Sequence, residues 1–209
     1  DIVAQTALGK KRYEDYYENK GVYDITELFG SGIFVEKDGK IAIEAEYSLE
    51  NSEYAYLTPD KTGEICWSPV RAESDGGSGF AMQGFGKPYT WKEAKEAPGM
   101  HFRINVSEEG VYNVWLLMLY ENHMCDSCYF AVDGEVYPLS TQYRNGQLYN
   151  YATAHMYFWC LTCEIHLPAG EHTFSIYACD TGLQIDRIYL SKGEEHPPVD
   201  AFWEWSRLN

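Results

Sequence analysis

Lys40-Ile-Ala-Ile-Glu-Ala-Glu-Tyr-Ser-Leu49 alternates without a break. Ile41, Ile43, Ala45, Tyr47 and Leu49 fall on one side, and Glu44, Glu46 and Ser48 on the other. An apolar period of two is the pattern of a half-buried strand, and it sets two carboxylates on one face about 6.5–7 Å apart. Like charges at that spacing repel unless something positive sits between them.

Downstream of this stretch the same period recurs. Met100, Phe102, Ile104 and Val106 alternate with His101, Arg103 and Asn105. Val111 to Leu119 is apolar enough for a central strand covered on both faces. Tyr129-Phe-Ala-Val132 runs into Asp133-Gly134, a hairpin signal. Cys163 to Leu167 and His172 to Ala178 alternate on either side of Pro168-Ala-Gly170. Leu183 to Leu190 closes the series, with a phase slip near Arg187 that marks a bulge. Short strands separated by turn signals, with no βαβ alternation, predict an all-β fold, a β-sandwich.

Upstream, residues 1–39 read differently. Ala4 to Asn19 has helix formers and no β-branched run, so a short N-terminal helix is expected, ended by Gly21. A second turn is expected over Asp24 to Phe29, with a turn at Lys37-Asp-Gly39. The expected division is a helical linker or preceding tail at 1–39, a sandwich at 40–192 and a C-terminal tail at 193–209. The tail carries Pro197-Pro198 and then the aromatic Phe202-Trp-Glu-Trp205.

Charge narrows the function. Acidic residues number 32 against 16 basic ones, a net charge of −16, which argues against nucleic acid and anionic membrane surfaces and suits a cation-binding protein. No apolar run is long enough to span a membrane. The Gly-rich stretch Asp75 to Gly86 lacks the Lys-Ser/Thr of a phosphate loop. The 18 Tyr, 9 Phe and 6 Trp fit strand packing, and equally a sugar-stacking surface. Catalysis by Glu44 and Glu46 is not expected. Their spacing matches that of inverting glycosidases, but any i, i+2 pair on a strand has it, and these two acids flank no substrate. No Gly-x-Ser-x-Gly elbow is present. His166 and His172 read as solvated strand-face histidines.

Six cysteines include two C-x-x-C pairs, Cys125/Cys128 and Cys160/Cys163. A four-thiolate zinc site, disulfides and buried free thiols all remain open for them.

Several of these segments, taken in order, resemble a known group. They are Ile43-Glu-Ala-Glu46, Gly79-Phe-Ala-Met82, Phe102 to Val106 with Gly110-Val-Tyr112, Tyr129 to Gly134, Trp159 with Ile165 to His172, and Ile185-Asp-Arg-Ile-Tyr-Leu190. The pattern resembles carbohydrate-binding modules of families 6 and 35 and the C-terminal domain of glycoside hydrolase family 115 enzymes. The resemblance implies a β-jelly-roll that binds oligosaccharide or polysaccharide, is itself no enzyme, and rides on the catalytic domain of a secreted glycoside hydrolase in the same polypeptide. It also implies a structural calcium held by Glu44, Glu46 and Asp186; an ordinary pairing of these acids with Lys or Arg is the competing reading. For the sugar it points to loops at one end of the sandwich, with Trp159 as a stacking platform, Gln184 where such modules often carry Asn, and Tyr89 and Trp91 as further aromatics. Core packing accounts for any one of these aromatics as readily as stacking does. Two other functions stay open: an accessory domain that binds no sugar, and a zinc-stabilised protein-interaction domain.

Overall fold

A computed structural model describes residues 33–48, 66–72, 80–85, 90–97, 99–121, 125–140, 156–193 and 196–197. The expected helix at Ala4 to Asn19, the turn at Asp24 to Phe29, and the aromatic Phe202 to Trp205 lie outside these residues.

Eleven strands are described: β1 Ile33–Val35, β2 Lys40–Glu44, β3 Cys66–Arg71, β4 Phe80–Phe85, β5 Gly99–Val106, β6 Gly110–Leu119, β7 Cys128–Val132, β8 Glu135–Ser140, β9 Phe158–Leu167, β10 Gly170–Ala178 and β11 Gln184–Ser191. The first sheet has the order β1-β5-β10-β7-β8, with β1 parallel to β5. The second has the order β3-β4-β11-β6-β9, and β2 also pairs with β11. Alternation decides which side chains lie between the sheets. Phe102, Ile104, Phe130, Phe174 and Ile176 from the first sheet meet Tyr112, Val114, Leu116, Ile185 and Ile188 from the second, all at most 1 % exposed. Phe130 stacks on Phe174 at 5.9 Å between ring centroids. The all-β sandwich expected from the alternation is the observed architecture.

Two tight turns follow from Asp-Gly pairs. Asp38 and Gly39 have φ of 51° and 76°, and Asp133 and Gly134 have φ of 50° and 80°. Positive φ at both central residues gives a primed turn whose twist matches the flanking strands. The first of these joins β1 to β2. The sandwich thus reaches back at least to Ile33, into the stretch read as a linker.

The opening stretch departs from expectation. Its strand stops at Glu44, and Ala45–Tyr47 form a 3₁₀ turn. The cause is non-local. Along one edge, β11 pairs with β4 at Gln184 and Ile185, and with β2 from Arg187 onward. Since β2 and β4 share that edge end to end, β2 must leave where β4 begins. Glu44 and Glu46 therefore do not sit as an i, i+2 pair on one strand face. The stretch is also buried on both sides rather than half-buried, from Ile41 through Ser48.

Bulges re-aim two strands. In β11 the register shifts between Ile185 and Arg187, as the phase slip predicted. In β9 it shifts opposite Val114/Trp115, with Thr162 as the extra residue, and the Thr162 hydroxyl donates to the Val114 carbonyl at 2.8 Å.

Candidate functional site

The outward side of the second sheet carries large apolar groups where water-facing residues are usual. Ala42, Trp115 and Tyr189 form one buried cluster there, and Ala72, Ala81, Leu117 and Tyr157 another. Trp159 is half-buried and packs against both. Its ring meets that of Tyr189 edge-on, at 6.4 Å between centroids. The bulge at Asp186 makes Gln184 and Arg187, an odd number apart, share this outward side. Gln184 is half-buried and accepts a hydrogen bond from the Tyr157 hydroxyl at 2.6 Å. Across β4 it lies in register with Gln83.

Two of the four expected sugar contacts, Trp159 and Gln184, thus come to one sheet face, near the end where β9 and β11 begin. They stand on strands rather than on loops. Trp91 opens a 3₁₀ turn, Trp91–Glu96, whose segment packs against β8 and β10 of the other sheet. Tyr89 lies outside the described residues. Sequence reasoning missed Tyr157, although Tyr157-Phe-Trp159 places two aromatics on one face of a strand. A flat aromatic beside fixed amide and hydroxyl groups can stack on a sugar ring and hydrogen-bond its hydroxyls.

Past the end of β11 the chain turns back over this face. Asn113 Nδ2 donates to the Gly193 carbonyl at 2.9 Å, and the His196 ring meets Trp115 edge-on at 5.2 Å.

The expected calcium ligands occupy the junction of β2, β4 and β11. Glu44 is opposite Arg187 in register, and the Arg187 Nε donates to both its carboxylate oxygens, at 3.1 and 3.2 Å. Both side chains are 5 % exposed. Burial pushes the Glu44 carboxyl above its usual range; the Arg187 charge and hydrogen bonds pull against that rise. Glu46 lies in the 3₁₀ turn and Asp186 in the bulge, both buried. Among the described residues, no three His, Cys, Asp or Glu side chains gather as a metal centre requires. In this structure Glu44 is thus paired with a guanidinium, and calcium at Glu46 and Asp186 remains an expectation.

Cys125, Cys128, Cys160 and Cys163 are buried and belong to the core between the sheets, and among the described residues they are not gathered as a four-thiolate centre. Residues three apart on a strand ordinarily face opposite ways, but the Thr162 bulge turns Cys160 and Cys163 both inward. Burial, with the Asp126 charge, pushes the Cys160 thiol up to about 11. No S–S bond is present among the described cysteines.

His172 differs from the solvated histidine expected. Its Nδ1 lies 2.7 Å from Asp133 Oδ2 and its Nε2 2.9 Å from the Pro168 carbonyl oxygen. Those contacts tie the β7–β8 turn to β10.

The sequence profile of the glycosyl hydrolase family 115 C-terminal domain matches residues 33–198. No curated protein matches the chain significantly. Among solved structures, it is similar to a GH26-CBM35 β-(1,4)-mannanase from Podospora anserina, with 14% identity and a TM-score of 0.48, over 78% of this chain and 29% of that one. It is similar to the C-terminal CBM6 of the laminarinase LamC from Zobellia galactanivorans, with 17% identity and a TM-score of 0.47, over 73% and 99%. It is also similar to a family 35 carbohydrate-binding module from Clostridium thermocellum, with 13% identity and a TM-score of 0.43, over 72% and 96%. The chain thus spans under a third of the mannanase and nearly the whole of each isolated module.

Proposed function

The chain belongs to the glycosyl hydrolase family 115 C-terminal domain family, and on that premise we propose that it is a non-catalytic carbohydrate-binding module acting beside a catalytic domain of the same polypeptide. Its ligand is an oligosaccharide or polysaccharide, met on the outward side of the second sheet. The observation that carries this reading is the half-buried Trp159 on the same face as Gln184, whose amide Tyr157 holds in place. Trp159 supplies the stacking surface, and Gln184 reads hydroxyls beside it. Tethering such a module to an enzyme raises the enzyme's effective concentration at its polymer. That role places the protein outside the cell. Among the described residues no helix is long and apolar enough to cross a membrane.

A second reading has its own support. Trp115, Leu117 and Tyr189 on the same face are already at least nine-tenths buried, as in a packing surface. An accessory domain that binds no sugar would use the face that way. Affinity electrophoresis of the chain against a panel of soluble polysaccharides separates the two. Retardation by at least one polymer, lost in Trp159→Ala, is expected for the binding module; no retardation by any polymer supports the accessory domain.

A further inference from the structure

We propose that Gln83 is a further ligand-contact residue, and that the ligand is an oligosaccharide laid across the strands from Trp159 on β9 to Gln83 on β4. This rests on the outward side of the second sheet being the saccharide surface. One row of side chains crosses four chain segments there. Gln184 on β11 pairs with Gln83 on β4 and with Leu119 on β6. Phe158 pairs with Met118, so Tyr157, the residue before it, falls beside Leu119. The row faces outward by alternation, because its neighbours Met82, Met118 and Ile185 belong to the core between the sheets. Directly opposed residues of antiparallel strands hold their Cβ atoms about 4.5–5.5 Å apart, so the Gln83 and Gln184 side chains stand next to each other. Both are half-buried.

The row has a fixed polarity. The Tyr157 hydroxyl donates to Gln184 Oε1 at 2.6 Å, which orients that amide and directs its Nε2 away from Tyr157. A carboxamide whose oxygen is engaged still offers two N–H donors. Gln184 therefore reads an acceptor oxygen, and Gln83 beside it offers both a donor and an acceptor. Neighbouring hydroxyls of a sugar match that pair. Leu117 and Leu119 form the apolar floor between the amides and Trp159. Trp159 and Gln83 stand three strand spacings apart, about 14 Å. A single ring stacked on Trp159 does not span that gap, whereas a chain of sugars across the strands meets both residues. The segment that returns past β11 contacts Asn113 and Trp115, toward the other end of β6 from Leu119.

The test uses the full chain, isothermal titration, and the soluble polysaccharide that retards the wild type, together with purified oligomers of increasing length cut from it. Gln83→Ala is expected to melt within about 2 °C of the wild type. It is expected to bind the polymer about 3–10-fold more weakly, the loss of one neutral hydrogen bond. That loss should be absent with the monosaccharide and open as the oligomer lengthens, which a merely structural role for Gln83 would not produce. Gln83→Glu keeps the side-chain length, removes the amide donors and is expected to show the same dependence on length, so it decides the matter should Gln83→Ala not fold. Wild-type affinity in both variants, or a loss equal at every ligand length, overturns the proposal. If Trp159→Ala still abolishes binding in that case, the saccharide face stands and only the course of the ligand across it is wrong. If Trp159→Ala binds undiminished, or no polymer retards the wild type, the face itself is wrong and the proposal falls with it.

Discussion

The outer sides of the two sheets both carry apolar clusters above a shared core, but they differ in where polar residues fall and in what covers them. On the first sheet β5 and β10 turn His101, Arg103, Asn105, Glu171, Thr173 and Ser175 outward, whereas Tyr129, Ala131 and Tyr177 form an outward apolar cluster with Ala94 and Ala97. Arg103 and Glu171 make a 2.8 Å ion pair with side chains 48% and 55% exposed, and His101 Nδ1 lies 2.8 Å from the Ser175 hydroxyl. On the second sheet the corresponding positions hold Ala42, Trp115, Leu117, Trp159 and Tyr189; the Arg187–Glu44 pair there is buried, and an exposed contact between His166 and Glu109 lies toward the far end of β9. A sandwich needs only one apolar side per sheet. An apolar patch turned outward is therefore spent on something besides the core: on the first sheet the Trp91–Glu96 segment packs on it, and on the second it adjoins the proposed ligand face.

The largest effect expected from this contrast is on Trp115. Trp115→Ala removes a buried indole from the outward cluster and is expected to cost about 3–5 kcal/mol, read by denaturant unfolding. A cost under about 1 kcal/mol would put the two outer faces on a par and break the comparison.

Next comes acid sensitivity, which should gather where polar devices hold the strands. Burial alone would raise the Glu36 carboxyl, but hydrogen bonds from the Tyr112 hydroxyl at 2.8 Å and from the Ser107 and Glu108 amides carry it below its usual range. Asp133 is lowered in the same manner: burial opposes, and the His172 ring and the Thr173 amide prevail. For a carboxylate depressed in the folded state, the stabilisation is complete above the unfolded value near 4 and is lost as pH falls through the folded one. Glu36→Gln is accordingly expected to cost about 1.5–3 kcal/mol at pH 7 and much less at pH 3. Asp133→Asn should show the same sign with a smaller effect, since its side chain is 54% exposed. A loss that does not change with pH would remove the carboxylate charge from the account.

The smallest effect belongs to Arg103. Its ion pair with Glu171 is exposed, and Arg103→Ala should shift stability by no more than about 1 kcal/mol. Comparison with Trp115→Ala then gives the contrast between the faces directly.

Much of this was legible in the chain. The alternation of Met100 to Val106 and His172 to Ala178, the Asp-Gly pairs, and the phase slip near Arg187 all report local geometry, and each lies where it was read. What was not legible depends on partners distant in sequence. Glu46 leaves the strand because β4 occupies the next positions on β11, which nothing within residues 40–49 records. The cysteine pairs left zinc ligation, disulfides and buried thiols open, because C-x-x-C spacing is the same whether or not a bulge turns both side chains into the core. Arg187 stood in plain view beside Asp186, but its pairing with Glu44 depends on a register across 143 residues. Trp159 was found by resemblance and Tyr157 was not, because its contribution is a hydrogen bond to Gln184 rather than a motif.

The central claim, that the outward side of the second sheet meets a saccharide through Trp159, is tested most directly by isothermal titration with whichever polysaccharide retards the wild-type chain, comparing wild type and Trp159→Ala. Both proteins must first be shown to unfold cooperatively. The account expects at least a tenfold loss of affinity in the folded variant. Undiminished affinity in a folded Trp159→Ala would contradict it and move the ligand to another surface.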